Sequence, residues 1–541
     1  MMTIKRFVPA VLASAAMLAA ADAEACTSLI AAKGATADGS TMITYAADSH
    51  TLYGELYSRP AVDHAPGTMR TVTEWDTGRH LGEIAEVAHT YATVGNMNEL
   101  GVTIAESTWG GRPELEGSGL IDYGSLIYIA LERSRTAREA LKVMTDLVAE
   151  YGYASEGESF SIADADEVWI LELIGKGKAD KGAVWVARRV PDGCISGHAN
   201  HSRIHKFPLN DPETLYSADV IDFARSQGYY KGKDADFDFS RAYAITDALA
   251  LRGCDARVWS YFRRFMADGA ADQWLPWVTS GEGDVMPLWV KPEKKVSTND
   301  LKWMMRDHFE GTPFDMTKDP GAGPFYLPYR WRPLTFKVDG SEYTNERAIA
   351  TQQTGFSFVS SMSKARSEAM RGILWFGVDD ANTCVYIPVF NSNKKVPYQL
   401  APGNGDLYTL SWDAMFWVNN YVANQAYGRY SLMIDDIRKV QNGFESSLES
   451  EVESLAASGI DDADALTMFT ASAAAEVTTA YHRLGDFLLV KYLDGNVKRQ
   501  NEDGSFKRTD DGMPVQPEFP GYDERYYRQI VDSEGDRLKI Q

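Results

Sequence analysis

Cys26 follows Ala23-Glu24-Ala25, and the segment before it has a basic start at Lys5 and Arg6 and an apolar stretch from Phe7 to Ala20. That three-part pattern is a secretory signal with small residues at its cut. Cleavage after Ala25 makes Cys26 the first mature residue and places an α-amine beside its thiol. An amine with an ordinary pKa of about 7.7–8.0 and a thiol of about 8.5 both titrate near neutral pH. One residue then offers a base and a nucleophile, the minimum for amide hydrolysis. Two other readings stand beside this one. A lipoprotein signal also ends at a cysteine and would consume both groups by acylation, although Glu24 departs from the small neutral residues such a signal carries. A structural cysteine that happens to fall at the cut is the other.

Chemistry at the start of a chain needs partners brought to it by later elements. Thr27 to Ala32 and Thr41 to Tyr45 are β-rich runs separated by turn signals at Lys33-Gly34 and Asp38-Gly39, and a hairpin would return the chain toward its start. Asp48 lies just past the second run, where its carboxylate can approach the Cys26 amine. Further strands are expected over Val102 to Ala105, Phe160 to Ala163, Val168 to Leu173 and Val184 to Ala187. Between them, Ile127 to Glu150 has a helical period, with Ile127, Ala130, Leu131, Ala137, Leu141, Met144 and Leu147 on one face. The mixture predicts an α+β layered core rather than a βαβ repeat.

The region from Trp274 to Pro333 is rich in Trp, Pro and Gly and reads as long ordered loops. Helical periodicity dominates from Trp412 to Tyr492, in two segments, Ile434 to Ala457 and Asp464 to Leu489, that read as a solvated pair packing on the core. After Asn501 the chain is charged and bears Gly and Pro, the composition of a mobile tail. The expected organisation is a signal over 1–25, a core over 26–411, a helical region over 412–500 and a tail over 501–541.

Removing 25 of the 541 residues leaves 516, enough for one large domain with insertions or for two domains. A hydrophobic share of 44% with 11% aromatics supports a substantial core. The signal takes two basic residues (Lys5, Arg6) and two acidic ones (Asp22, Glu24), so the net charge of −22 is unchanged by cleavage. So acidic a chain disfavours nucleic acid and anionic membranes as partners. After the signal no apolar run reaches the length of a membrane span, so an exported protein, periplasmic or extracellular, is expected. Homo-oligomerisation is left open. If Cys26 is kept for chemistry, Cys194, Cys254 and Cys384 allow at most one disulfide in an oxidising compartment.

Cys26-Thr27-Ser28-Leu29-Ile30, then Asp38-Gly39-Ser40-Thr41-Met42-Ile43 and Asp48-Ser49, resemble the mature start of the dipeptidase A-like, secernin-related family of N-terminal nucleophile hydrolases. Penicillin V acylase and bile salt hydrolase are more distant cousins. The likeness continues through Gly95-Asn96-Met97-Asn98-Glu99-Leu100-Gly101-Val102, His198-Ala199-Asn200-His201-Ser202-Arg203-Ile204, Cys254-Asp255-Ala256-Arg257-Val258-Trp259 and Trp375-Phe376-Gly377-Val378-Asp379-Asp380. Blocks in one order across nearly the whole mature chain make the match specific.

The resemblance implies a four-layer αββα fold and amide hydrolysis through an acyl-enzyme on a thiolate. By position, Cys26 is similar to the family nucleophile, with its own amine as base and Asp48 as the carboxylate that orients the amine. Asn200 resembles the oxyanion-hole amide, and Arg257 the arginine that lowers the thiol pKa or fixes the site. Plain alternatives are a turn-capping Asp48, an Asn200 that satisfies a turn, and an Arg257 in a structural ion pair. The chain departs from its acylase cousins in two places. Tyr45-Ala46-Ala47 stands where they often carry a basic residue, and Glu106-Ser107-Thr108 stands near the second oxyanion position in place of an asparagine. Both departures point away from bile-acid and penicillin substrates.

His308 and Glu310 have no second such pair to complete a metal site, and no nucleophile elbow or phosphate loop occurs. No cofactor or metal is expected. The reading is an exported cysteine dipeptidase acting on small peptides. Its rivals are an amidase for N-acyl compounds and a non-catalytic exported binding protein.

Overall fold

Ser28–Ala31 and Thr41–Asp48 bury every residue, so both must lie inside a sheet covered on two faces. The computed structural model describes residues 26–178 and 180–540; the expected signal over 1–25 lies outside them. The two strands form an antiparallel hairpin, Ile30 facing Ile43, at the centre of a seven-stranded sheet. Its order is Trp289–Val290, Ile195–His198, Ser28–Ala31, Thr41–Asp48, Thr354–Met362, Gly372–Val378 and Ile387–Phe390. Asp48 is the last residue of its strand rather than lying past it, because Thr354–Met362 pairs along the whole length from Thr41 to Asp48.

A second antiparallel sheet of eight strands has Ala183–Arg189, Val168–Gly175, Gly157–Ala163 and Thr103–Trp109 as its long members. The two sheets face each other across a polar seam. Ser28 Oγ meets Ser161 Oγ at 2.9 Å, and His198 bridges Ser107 at 2.6 Å and Ser161 at 2.8 Å. Burial, with Arg203 nearby, pushes the His198 pKa down to about 3. The ring is therefore neutral and serves as a fixed donor and acceptor between sheets.

The segment expected as one helix over 127–150 is two, Tyr123–Arg133 and Ala137–Tyr151. Two contacts mark the break: Thr136 accepts from Glu139 N–H as an N-cap, while Asn98 Nδ2, from another element, donates to the carbonyls of Leu131 and Ser134. The apolar stripe is as expected, and Ile127, Ala130, Leu131, Ala137, Leu141, Met144 and Leu147 are all buried against the outer face of the second sheet.

The far side of the first sheet carries the helices Ala256–Phe265, Thr298–Met304, Met415–Gly428, Tyr430–Ser458 and Ala463–Lys491. The fold is thus α+β. The last two helices bracket the edge strand Ile387–Phe390. Glu445 Oε1 accepts from Tyr386 N–H at 3.0 Å, and Thr470 Oγ1 donates to the Pro388 carbonyl at 2.9 Å.

One other expectation is corrected, and the tail gains detail. The loop-like region 274–333 also holds the short helices Leu275–Ser280 and Thr298–Met304, the latter closed by a Ser297/Asp300 capping box. The tail after Asn501 packs back on the body and contains the helix Glu524–Glu534. Phe506 stacks on Phe487, Arg525 donates to the Gly323 carbonyl, and Tyr326 bonds Asp523. No helix among the described residues is long and apolar enough to cross a membrane.

Candidate active site

Cys26 precedes the first strand and is 6% exposed. Thr27 exchanges backbone bonds with Ala46 at 2.9 and 3.1 Å, so Ala47 is the cross-strand neighbour of Cys26 and Asp48 lies one step farther, toward the Cys26 nitrogen. On the other flank Ser28 faces His198. The pairing ends at His198, and Asn200 just beyond it is linked to Cys26 through Arg257. Pairing thus brings Asp48 toward Cys26, and the arginine brings in Asn200.

Arg257 is the fourth expected site residue. A π-helical turn, Ala250–Asp255, leads into its helix, a local distortion common where side chains must be re-aimed. The side chain is 1% exposed, and its guanidinium acts as a brace. Nη1 donates to the Cys26 carbonyl at 2.6 Å and to Thr27 Oγ1 at 2.7 Å; Nη2 donates to Asn200 Oδ1 at 2.8 Å and to the Ala199 carbonyl at 3.2 Å; Nε donates to the Gly253 carbonyl at 2.8 Å. Burial, together with Arg347, lowers its pKa to about 10, so the charge persists at neutral pH. The ion-pair reading is replaced by a fork of bonds to uncharged oxygens, a geometry only a planar guanidinium provides.

Asn200 adopts φ 56°, a left-handed backbone that asparagine tolerates better than most residues. With Oδ1 held by Arg257, the amide end is fixed, and Nδ2 donates one hydrogen to the Thr108 carbonyl at 2.6 Å. A carboxamide nitrogen carries two hydrogens, so the second remains for another acceptor. The following loop is anchored from below. Glu172 accepts from Ser202 Oγ at 2.5 Å and from the N–H groups of Arg203 and Ile204, while His201 meets Asp255 at 3.0 Å.

Asp48 is buried and spans two partners: Arg347 donates to Oδ2, and Thr354 Oγ1 donates to Oδ1 at 2.6 Å. It therefore holds a buried ion pair rather than merely capping a turn.

Two side chains that sequence reasoning treated only as departures reach the thiol. Cys26 Sγ donates to Glu106 Oε1 at 3.3 Å and lies 3.8 Å from Tyr45 Oη, and Tyr45 itself donates to Glu106. The available signal was a carboxylate inside an otherwise apolar strand pattern, Val102-Thr103-Ile104-Ala105-Glu106. Burial above all, with Cys26 and Glu106 adding to it, raises the Tyr45 pKa well above its ordinary range and keeps it a neutral donor.

A cleft of about 580 Å³ adjoins this cluster, its wall including Thr108, Asn200, Cys254, Arg257 and Arg347. None of the four cysteines is in a disulfide. His308 Nδ1 lies 3.2 Å from Glu310 Oε1, and no group of three or more potential metal ligands occurs among the described residues.

The buried Cys26 thiol and its braced carbonyl thus lie beside a fixed carboxamide and a cleft. Residues 25–443 match the model of Peptidase family C69, and the chain belongs to that family. It is a peptidase. Its relatives include a probable dipeptidase of Latilactobacillus sakei, 24% identical over 68% of this chain and 74% of the relative. A probable dipeptidase of Salmonella dublin is 26% identical over 61% and 76%, and a probable dipeptidase A of Streptococcus pyogenes is 25% identical over 75% and 84%.

Proposed function

We propose that this peptidase is an exported dipeptidase, periplasmic or extracellular, that works through an acyl-enzyme on Cys26 after removal of residues 1–25, within the four-layer αββα arrangement of N-terminal nucleophile hydrolases. The observation that carries the reading is Arg257, which ties the Cys26 carbonyl to the Asn200 carboxamide and so joins the start of the mature chain to a hydrogen-bond donor. Two facing sheets with helices outside, and relatives named as dipeptidases, support it further.

In this mechanism the Cys26 amine takes the thiol proton, and the thiolate attacks the scissile carbonyl carbon. The second Asn200 N–H receives the developing oxyanion, a contribution of about 2.7–4 kcal/mol in hydrolases where one such donor was removed. The ammonium returns its proton to the departing amine as the C–N bond breaks. Water, deprotonated by the same amine, then attacks the thioester and frees the thiol. Asp48, one step from the Cys26 nitrogen, orients that amine while Arg347 fixes the carboxylate.

The test compares one dipeptide with its N-acetylated form, in the wild type and in Cys26→Ala. The dipeptidase reading expects turnover of the unblocked peptide alone, lost in the variant. Faster turnover of the acetylated form would instead support an amidase for N-acyl compounds, and no turnover of either would support a binding protein.

A further inference from the structure

Against the buried Cys26 thiol lie a phenol and a carboxyl that the mechanism above does not use. The sulfur donates to Glu106 Oε1 at 3.3 Å and stands 3.8 Å from Tyr45 Oη, while Tyr45 donates to the same Glu106 oxygen. One oxygen of Glu106 thus receives two hydrogens, and the phenol oxygen reaches both the carboxyl and the sulfur. Tyr45 is placed there by its strand. It pairs with Phe358 in the neighbouring strand, and its ring packs edge-on against Phe356 at 5.5 Å and Phe358 at 5.8 Å. With the ring clamped, the phenol oxygen is fixed and its hydrogen is left to rotate.

A thiol and a thiolate make opposite demands on these neighbours. The thiol needs an acceptor, and Glu106 is one. The thiolate is the nucleophile, and a buried anion is costly without a hydrogen-bond donor. A carboxyl group beside it makes the negative charge costlier still. A phenol has one hydrogen and can give it to either neighbour. Burial above all, with Cys26, Glu106 and Tyr123 adding to it, holds the Tyr45 pKa well above its ordinary range, so that hydrogen is present wherever the thiol titrates. Burial also raises the Glu106 pKa, and the other carboxyls bearing on it are Glu158, on the neighbouring strand, and Asp76. On the backbone side of Cys26 stand its own α-amine in the mature chain, Asp48 one step from it, and Arg257 on its carbonyl.

We propose that Tyr45 is a further catalytic residue, donating its phenolic hydrogen to Glu106 while Cys26 is a thiol and to the sulfur once Cys26 is a thiolate, an inference that rests on the reading of Cys26 as the nucleophile. Glu106 is then a positioning residue that keeps the phenol beside the sulfur between turnovers. In this step the S–H bond breaks and its proton goes to the Cys26 amine. Tyr45 keeps its own proton and only exchanges one hydrogen-bond acceptor for another. As the C–S bond forms, charge leaves sulfur for the carbonyl oxygen, and the phenol returns to Glu106. The contact lowers the pH at which the thiolate becomes available.

The experiment is the pH profile of Cys26 alkylation by iodoacetamide in the mature enzyme, wild type against Tyr45→Phe, with Cys26→Ala as the blank for the other three cysteines. Phenylalanine keeps the ring that packs on Phe356 and Phe358 and removes only the hydroxyl. The expected result is a profile moved up by about one pH unit, the low end of what a hydrogen bond to a charged atom contributes, with the alkaline plateau rate unchanged. On the acid limb, kcat/KM for one dipeptide should fall about tenfold, through kcat rather than KM. A profile that does not move overturns the inference. An equal fall in alkylation rate at every pH also overturns it, because that pattern reports lost access to the thiol rather than a lost donor. Should Tyr45→Phe not fold, a ring-fluorinated tyrosine in place of Tyr45, a stronger donor of nearly the same size, should move the profile to lower pH; an unmoved profile then overturns the inference. The alkylation reading needs no substrate, so a wild type that cleaves no dipeptide ends the dipeptidase reading alone, while the profile still decides the role of Tyr45.

Discussion

One guanidinium holds both sides of the site: Arg257 donates from Nη1 to the carbonyl of Cys26 at 2.6 Å and from Nη2 to Asn200 Oδ1 at 2.8 Å. Replacing it with lysine keeps a charge but not the fork. Arg257→Lys should lower kcat by about 10²-fold, comparable to loss of an oxyanion donor. It should also lower stability by roughly 2–3 kcal/mol, since hydrogen bonds to charged groups contribute about 1.5–3 kcal/mol each. Steady-state kinetics and urea melts check the two effects separately.

Cys26→Ala should abolish turnover and leave the fold unchanged, because it deletes one sulfur at the head of the first strand. Cys26→Ser should retain at most a trace, a hydroxyl being the weaker nucleophile near neutral pH. Wild-type rates in the alanine variant would end the proposed mechanism; circular dichroism confirms that each variant is folded.

Exported material should begin at Cys26 with an unmodified N-terminus. Intact-protein mass spectrometry reads this directly, and a diacylglyceryl adduct or a different start would remove the proposed base.

Asp48→Asn removes one member of a buried ion pair whose partner, Arg347, has a side chain only 5% exposed. Breaking such a pair from one side is destabilising by about 3–5 kcal/mol. A large drop in melting temperature should therefore accompany any loss of activity. A variant as stable as the wild type would show that the pair contributes little to the fold.

His198 sets a pH dependence. Its folded pKa is about 3 against an ordinary 6.5, so between those values the unfolded chain binds a proton that the native state refuses. Stability contributed by the neutral ring is complete above about pH 6.5 and is lost as pH falls toward 3, at about 1.4 kcal/mol per unit. His198→Gln should flatten that acid limb of the melting curve, measured calorimetrically between pH 4 and 7.

Cys26, Asp48, Asn200 and Arg257 were proposed from sequence blocks in a fixed order, and the structure brings them near one another: Asp48 through strand pairing, Asn200 and Arg257 through the guanidinium's hydrogen bonds. What Arg257 does was not readable. Its five donors go to oxygens contributed by residues as far apart as Cys26 and Gly253, a convergence that no local pattern encodes. Glu106 escaped for the same reason, since its meaning depends on Tyr45 arriving from the opposite sheet. The helix expected over 127–150 was right in its apolar face and wrong in its continuity. Periodicity reports burial, whereas the break at 134–136 is marked by a side chain, Asn98, from another element. The tail's composition gave no sign of its ring stack, because that contact joins Phe506 to Phe487 of another element.

The two long C-terminal helices do more than thicken the protein. By lending Glu445 and Thr470 to the backbone of 386–388, they occupy polar groups that a bare outer strand would offer to any passing chain. A version of the protein cut before these helices would expose a fully apolar, flat ribbon at Ile387–Phe390. Its failure would be seen as aggregation between molecules before any loss of chemistry at Cys26.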